Sequence, residues 1–446
     1  MKGPKTTSIN LCGKMNFSDL SIVNPKRKKQ PRSAWDEFFP YYAGYPDSFA
    51  RNILTSAKLD QNAIVLDPWN GSGTTTYVAS QMGYAAVGLD LNPVMIIVAR
   101  SRMLPASEAD SLTPLSYEII RRARAHPVEC PEDDPLNLWF ETKTANWIRS
   151  IEISIRSALV GDLTLTPNGV NFDRISSIAS SFYVALFNLS KYLASEFQSS
   201  NPTWIRKPKK SETRSSLPLD EISDNFLKRV NLMSDALGAK ADLLFVEPTP
   251  VSIRLSDSTV PYTFDKKVDF VLTSPPYCTR IDYTAATRIQ LAVLHPLLSL
   301  PINELSRSMI GSIKVPKVSV NINEKWGAKC VQFLRQVSEH PSHASAGYYL
   351  KSHIDYFDKM DRSLSNISSS LKSGGAAVLV VQDSHYKDVH NDVPSIIGEI
   401  ADSHNMTLRR RDDFQVKSSM SGINPRARVY SKHFGIVESV LCFEKI

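Results

Sequence analysis

The deciding stretch of this 446-residue chain is Ala63-Ile64-Val65-Leu66-Asp67-Pro68-Trp69-Asn70-Gly71-Ser72-Gly73. A short apolar run ends in an acid, a Gly-rich turn follows, and helical character begins at Tyr77. A second apolar run, 85–90, also ends in an acid and leads into helical spacing over 94–100. Two consecutive strand–helix units predict a parallel α/β sheet.

The rest of the chain splits this predicted sheet into two parts. From about Arg100 to Leu243 the apolar residues recur at helical spacing, which predicts a mostly helical insertion. Apolar runs typical of strands return afterwards, and they lie at 242–246, 251–255, 268–272, 376–381 and 439–443. The second half of the chain is therefore expected to complete the sheet.

Composition excludes several classes of protein. Apolar residues make up 42% and charged residues 22%, and no window approaches the roughly 18 uncharged residues of a membrane helix. The first residues lack an apolar signal core, so a cytoplasmic location is expected. Neither a disulfide framework nor a metal site is expected, because the cysteines are five, scattered and without CxxC spacing.

The net charge of +7 is concentrated in two runs. One is Pro25-Lys26-Arg27-Lys28-Lys29-Gln30-Pro31-Arg32, and the other is Arg206-Lys207-Pro208-Lys209-Lys210. Such runs suit a polyanionic partner, but a solvated surface segment explains each of them equally well.

The Gly-rich turn is suited to a nucleotide-like ligand. Glycines after a buried strand let backbone amides approach a ligand where a Cβ would collide. Asp67 is placed to accept a hydrogen bond from a cationic amino-acid moiety, and Asp90 stands where such folds bind ribose hydroxyls. The third glycine of a GxGxxG dinucleotide site is missing.

A second motif, Thr273-Ser274-Pro275-Pro276-Tyr277, follows the apolar run 268–272. Two prolines remove two backbone donors and fix the direction of nearby carbonyl groups. Those carbonyls and the Ser274 hydroxyl suit an exocyclic amino group, and Tyr277 offers a ring for stacking a planar base. In isolation, Pro-Pro-Tyr would be a rigid turn, but its place at a strand end favours a functional role.

Together the two motifs resemble those of the amino-group DNA methyltransferases that use S-adenosylmethionine. Asp67 to Thr75 is similar to their DPFxGSGTT signature, with Trp69 replacing Phe, and Ser274 to Tyr277 is similar to their (S/D/N)PP(Y/F) tetrad. The resemblance implies a Rossmann-like class I methyltransferase sheet, with Ser274, Pro275, Pro276 and Tyr277 as catalytic residues. The cofactor residues that it implies are Asp67, Pro68, Trp69, Gly71, Ser72, Gly73, Thr74, Asp90, Asp257 and Tyr45.

The implied reaction is direct methyl transfer to the amino group of a flipped base in double-stranded DNA. Ser274 favours cytosine N4 over adenine N6, and a restriction-modification or phage-defence system with a cognate endonuclease is the expected setting. The alternatives are an adenine-N6 enzyme, an RNA amino-methyltransferase and a catalytically silent nucleic-acid-binding protein. Cys278 suggests cytosine C5 chemistry, but the intact Pro-Pro-Tyr favours a packing role for it.

The predicted organisation has four parts: a flexible basic arm (1–33), the catalytic domain's first part (34–100), a helical insertion (101–242) and its second part (243–446). The insertion is the candidate target-recognition region. Its nucleic-acid contacts are expected from Trp204, Arg206, Lys207, Lys209 and Lys210. Trp204 is equally explained as a core aromatic. The cofactor motif precedes the catalytic motif, which is not the commonest order for this signature.

Overall fold

The structure is a computed structural model that describes residues 15–26, 38–39, 44–161, 164–166, 169–199, 204–239, 249–279, 283–315, 321–416 and 435–446. Within these residues the α-helices are α1 (Asp47–Ala57), α2 (Thr74–Gln81), α3 (Pro93–Arg102), α4 (Ala109–Ala125), α5 (Thr142–Leu159), α6 (Ser177–Leu193), α7 (Leu219–Gly238), α8 (Tyr283–Ala286), α9 (Arg288–Leu294), α10 (Ile302–Ser308), α11 (Ala328–Glu339), α12 (Leu350–Ser370) and α13 (Val393–Ser403).

The strands are β1 (Ile64–Asp67), β2 (Ala85–Asp90), β3 (Leu165–Thr166), β4 (Gly169–Val170), β5 (Val251–Leu255), β6 (Val268–Thr273), β7 (Leu371–Gln382), β8 (Ser384–Tyr386), β9 (Val389–Asn391), β10 (Met406–Val416) and β11 (Ile436–Lys445). Seven of them form one sheet in the order β10-β11-β7-β6-β1-β2-β5. The neighbouring strands β7, β6, β1, β2 and β5 are parallel to one another, and β11 is antiparallel to both β7 and β10. The predicted α/β, Rossmann-like sheet is confirmed.

Apolar residues alternate between the two faces of the sheet because successive side chains in a strand point to opposite sides. Val65 and Phe270 pack with α1 and α2 on one face. Leu66 and Val271 pack with α11, α12 and α13 on the other. Both faces are covered, which explains why these strands are continuous apolar runs in the sequence.

The segment between β2 and β5 is mostly helical, and its helices α3 to α7 share a hydrophobic core with α9. Arg149 of α5 ties it to α9, donating to the carbonyl oxygens of Ala292 and Val293 at 3.0 and 2.7 Å. The same guanidinium pairs with the buried carboxylate of Asp134 at 3.0 Å. The insertion is thus packed tightly onto the part of the chain that follows the Pro-Pro-Tyr motif.

The prediction of a flexible arm over residues 1–33 is wrong for residues 15–26. Phe17 and Leu20 are buried against the sheet, and the guanidinium of Arg410 on β10 donates to their carbonyl oxygens at 3.0 and 2.9 Å. Burial of these two apolar side chains and the hydrogen bonds from Arg410 hold the segment in place. Of the predicted basic run over 25–32, residues 27–32 lie outside the described residues.

Two other differences concern strands. The sequence predicts no strand between 376–381 and 439–443, but Ser384–Tyr386 pairs with Val389–Asn391 as a short hairpin directly after β7. The strand β10 is not predicted. The predicted strands at 251–255 and 268–272 match β5 and β6, whereas the one at 242–246 lies outside the described residues.

Candidate active site

The two sequence motifs meet where the order of the sheet reverses. From β1 the chain proceeds outward to β2 and β5, and it then returns to β6 on the other side of β1. Such a switch point opens a crevice at the carboxyl ends of the strands, where α/β proteins bind ligands. Asp67 ends β1, Thr273 ends β6, and the Thr273 hydroxyl donates to Asp67 Oδ1 at 2.5 Å.

Asp67 is the centre of a buried hydrogen-bond network. Its Oδ2 accepts from the Thr75 hydroxyl at 2.6 Å, and Oδ1 also accepts from the backbone N–H of Trp69 at 3.1 Å. The Tyr45 hydroxyl lies 2.7 Å from Thr75 Oγ1. Burial raises the pKa of Asp67 to about 6, even though these hydrogen bonds favour the carboxylate. Tyr45, Asp67 and Thr75 therefore form one unit.

The carboxylate of Asp90, at the end of β2, is hydrogen-bonded to the Gly-rich turn. Its Oδ2 accepts from the backbone N–H of Gly71 at 2.9 Å, and its Oδ1 accepts from that of Asn92 at 2.8 Å. Burial raises the pKa of Asp90 to about 6. Gly73 has a φ of 81°, and a Cβ on it would lie 2.9 Å from that of Ala99 on α3. The positive φ at position 73 and the close approach of the turn to α3 therefore both favour glycine there.

Asn70 is a residue of this turn that the sequence pattern does not single out. Its Oδ1 accepts from the Thr76 hydroxyl at 2.9 Å, and its side chain lies against Gly88 of β2. Its Nδ2 is buried and has no hydrogen-bond partner among the described residues. A buried donor of this kind is costly unless a ligand or water satisfies it.

The remaining predicted cofactor residues surround the same turn. Pro68, Ser72 and Thr74 are buried, and Trp69 is half-buried against the core formed by α11, α12 and α13. Asp257 follows β5, is half-buried, and accepts from the backbone N–H of Thr259 at 2.8 Å. Carboxylates thus stand at the ends of three neighbouring strands. This set of acceptors fits a ligand that carries an amino group, ribose hydroxyls and a base amino group.

The Pro-Pro-Tyr motif is held by partners from several elements. The Ser274 hydroxyl donates to the carbonyl oxygen of Val380 on β7 at 3.0 Å. The Pro276 carbonyl accepts from the Tyr356 hydroxyl of α12 at 2.9 Å. Pro275 is buried, whereas Ser274, Pro276 and Tyr277 are half-buried. The motif is therefore fixed by the fold on more than one side.

Tyr277 has partners at both its backbone and its ring. Its N–H donates to the Tyr283 hydroxyl at 3.2 Å, and its own hydroxyl donates to Glu438 Oε1 on β11 at 2.6 Å. The sequence motifs do not reveal Tyr283, Tyr356 or Glu438, because no motif of the sequence contains them. No signal short of the strand order could have identified Glu438.

Parts of this chain are similar in sequence to known DNA methyltransferases. Residues 11–100 match a family model described as DNA methylase. The Type II methyltransferase M.BsoBI of Geobacillus stearothermophilus is 25% identical over 277 residues, which are 57% of this chain and 51% of that protein. M.MvaI of Kocuria varians, also a Type II methyltransferase, is 21% identical over 363 residues, 76% of this chain and 74% of that protein. These matches support a relationship to the amino-group DNA methyltransferases.

The chain spans about half the length of M.BsoBI. Among solved structures, the rRNA methyltransferase aviRa of Streptomyces viridochromogenes matches with a TM-score of 0.29 and 13% identity, covering 92% of this chain and 90% of that one. The family match implies S-adenosylmethionine as the methyl donor, in agreement with the predicted cofactor.

Cys278 lies next to the methyltransferase-like motif, and its Sγ lies 3.5 Å from His353 Nδ1. It is buried, and burial raises the pKa of its thiol to about 12. A thiol with such a pKa is not a thiolate at neutral pH. The environment therefore favours the packing role over a C5-type nucleophile.

The predicted nucleic-acid segment is part of the insertion. Ile205 is buried in its core, and the Trp139 indole donates to the Arg206 carbonyl at 2.9 Å. Arg206 forms a two-pronged pair with Glu212, with both distances 2.7 Å. Trp204 is half-buried, whereas Lys207, Lys209 and Lys210 are exposed. Of the predicted cations, Arg206 is thus already engaged within the protein.

A cavity of about 240 Å³ lies away from both motifs, where β5 begins and where α2 and α3 end. Tyr77, Arg102, Met233 and Val251 line it. Within the described ranges, no three His, Cys, Asp or Glu side chains are grouped as a metal site would need. In the same part of the chain, no helix has the length and apolar character to cross a membrane.

Proposed function

We propose that the protein transfers a methyl group from S-adenosylmethionine to the exocyclic amino group of a base in double-stranded DNA. The observation that carries the proposal is the hydrogen bond from Thr273 to Asp67, because it joins the cofactor turn to the Pro-Pro-Tyr motif. The DNA methylase match over 11–100 covers only the cofactor half. The catalytic half is argued from its own side chains.

The cofactor is assigned to the turn between Asp67 and Thr74. Asp67 is placed to accept from its amino group, Asp90 from its ribose hydroxyls, and Asp257 from its adenine amino group. Pro68, Trp69, Gly71, Ser72 and Gly73 shape the turn, and Tyr45 supports it through Thr75. When bound, S-adenosylmethionine supplies an electrophilic methyl group.

Ser274 is assigned to the amino group of the target base. Its hydroxyl proton is directed to the Val380 carbonyl, so the lone pairs of Oγ remain to accept an N–H of the base. The carbonyl group of Pro275 is assigned as a second acceptor, with Pro276 holding the chain rigid. Two acceptors on one amino group orient the nitrogen lone pair toward the methyl group, and positioning of this kind supplies most of the rate.

The target base must leave the duplex to reach this pocket, and Tyr277 is assigned as the surface on which it stacks. Ser274 favours cytosine N4 as the methylated atom. The Type II names of the two relatives support a restriction-modification setting with a cognate endonuclease.

Target recognition is assigned to the insertion, with Lys207, Lys209 and Lys210 on phosphates and Trp204 near a base step. Arg206 orders this segment through Glu212 and is expected to add little to phosphate binding. Replacing the three lysines by alanine should lower the salt slope of DNA binding by about 1 for each phosphate that is no longer neutralised. Lys266→Ala, at an exposed lysine just before β6, is the control, and an unchanged slope in the triple variant contradicts the assignment.

The test of the reaction uses isotopically labelled S-adenosylmethionine, unmethylated duplex DNA and mass identification of the nucleosides. Labelled N4-methylcytosine is expected, and Tyr277→Ala should abolish it while Tyr84→Ala, at a half-buried tyrosine before β2, should not. N6-methyladenine alone would refute the assignment from Ser274. Label in RNA but not DNA would refute the substrate, and no label in either would refute the reaction.

A further inference from the structure

Glu438 is a nearly buried carboxyl group to which neither sequence motif assigns a role. Its side chain is 9% exposed, and it lies on β11, in register with Gln382 of β7 on one side and Phe414 of β10 on the other. Burial raises the pKa of Glu438, while the Tyr277 hydroxyl and the charge of Lys26 act in the opposite direction. A carboxyl group is kept in such a place only with a partner.

That partner is Tyr277. The distance of 2.6 Å from the Tyr277 hydroxyl to Glu438 Oε1 is in the range of hydrogen bonds from a hydroxyl to an ionised oxygen. The Tyr283 hydroxyl accepts the Tyr277 N–H at 3.2 Å. Backbone and ring tip are therefore both held, and the ring can turn only if it gives up the bond to Glu438.

We infer that Glu438 is a positioning residue that fixes the ring of Tyr277 as the stacking surface for the flipped base. The inference rests on the proposed function and adds to it a residue 161 positions from Tyr277 along the chain. Glu438 itself does not touch the base. It acts by removing the rotational freedom of the ring before the base arrives, which lowers the entropy lost on forming the reactive complex.

The loss of this anchor should lower kcat more than it raises KM for DNA. Phosphate contacts elsewhere carry most DNA affinity, whereas stacking of the flipped base decides how often the amino group faces the methyl group. Removing a hydrogen bond to a charged group corresponds to about a 10- to 100-fold fall in kcat, if it acts fully in the reactive complex.

The variants are Glu438→Ala, Glu438→Gln and Tyr277→Phe. The alanine variant should show the full fall in kcat, and glutamine should recover most of it because its amide oxygen still accepts from Tyr277. Tyr277→Phe removes the same bond from the other side and keeps the ring. Combining it with Glu438→Ala should cost no more than the worse single variant, because both break one interaction.

Glu444→Ala is the matched control. Glu444 is on the same strand and the same face, is also nearly buried, and pairs with Arg409 at 2.7 Å toward the other end of the strand. It should lower thermal stability but leave kcat unchanged. Fluorescence of 2-aminopurine, placed at the methylated position once sequencing has mapped it, reports whether the base is flipped and stacked.

The outcomes distinguish a failure of the positioning role of Glu438 from a failure of the proposed methyl transfer. A wild-type enzyme that methylates DNA, with a Glu438→Ala variant that keeps its kcat, refutes the positioning role and leaves the reaction intact. An equal loss in Glu444→Ala also refutes it, as does a strictly additive double variant. If Glu438→Ala does not fold, Tyr277→Phe with unchanged kcat is the refuting result. No methyl transfer by wild type refutes both.

Discussion

Thr273→Val is a sharp test of the buried contact that joins the two motifs. Valine has nearly the shape of threonine, so the fully buried site at the end of β6 stays filled. The change removes the hydroxyl group that donates to Asp67 Oδ1 at 2.5 Å. The hydrogen bonds of Asp67 with Thr75 and with the Trp69 N–H are left in place.

The size of the effect depends on the charge of Asp67. A hydrogen bond to an ionised group contributes about 1.5–3 kcal/mol and one to a neutral group about 0.5–1.5 kcal/mol. Because burial raises the pKa of Asp67 to about 6, the side chain is mostly neutral at pH 5 and ionised at pH 8. We therefore expect Thr273→Val to lower the unfolding free energy by about 1 kcal/mol at pH 5 and about 2 kcal/mol at pH 8.

Proton linkage explains why Thr273→Val should lower the unfolding free energy more at pH 8 than at pH 5. A carboxyl group with a raised pKa in the folded state binds protons more tightly there than in the unfolded chain. Its contribution to stability is thus complete below the unfolded pKa and is lost as pH rises through the folded value. Thr273→Val raises the folded pKa of Asp67 further, so the loss of stability on the alkaline side becomes larger.

The assay is urea unfolding of wild type and variant at pH 5 and pH 8. Thr76→Val is the matched control, because Thr76 is also fully buried but donates to the neutral amide oxygen of Asn70 at 2.9 Å. Its effect should be the same at both pH values. Asp90 titrates in the same range in all three proteins and cancels in the differences. A Thr273→Val loss that is equal at both pH values, or larger at pH 5, would refute the reasoning.

Three further changes test other parts of the structure. Gly88→Ala places a Cβ 2.5 Å from Asn70 Cγ, so it should cost about 1–3 kcal/mol in thermal unfolding and weaken S-adenosylmethionine binding, and unchanged affinity in a titration would contradict this. Arg149→Ala should cost about 3–5 kcal/mol in urea unfolding because it leaves a buried carboxylate unpaired, whereas the exposed Arg124→Ala should cost about 1 kcal/mol or less, and equal losses would be evidence against it. Cys278→Ala should leave methyl transfer unchanged, and its complete loss would point to a nucleophilic thiol.

Much of the fold could be predicted because several of its strands are short apolar runs that can be recognised in the sequence. The run ending at Asp67 and the run before Ser274 are each a buried parallel strand, and such strands are apolar on both sides. What the sequence does not contain is that β6 lies beside β1. Their contact spans 206 positions, and it arises from the return of the chain across the sheet.

The strand β10 shows the opposite case, a strand with no local signal. Its central residues are charged, from Arg409 to Asp413, because it lies at the edge of the sheet and exposes many of its side chains. Charges on an edge strand discourage pairing with another chain. A charged run reads as a solvated segment in the sequence, although here it forms the partner of β11.

The chemistry assigned to Ser274 shows why a motif alone cannot define a site. A serine hydroxyl can donate or accept, and nothing within Thr273 to Tyr277 decides between these roles. The decision comes from β7, whose Val380 carbonyl accepts a hydrogen bond from the Ser274 hydroxyl at 3.0 Å. Tyr277 is a similar case, because β11 supplies the carboxylate that accepts a hydrogen bond from its hydroxyl. In the proposed reaction the motif supplies the groups that contact the base, while neighbouring strands determine which of these groups donate or accept hydrogen bonds and how they are oriented.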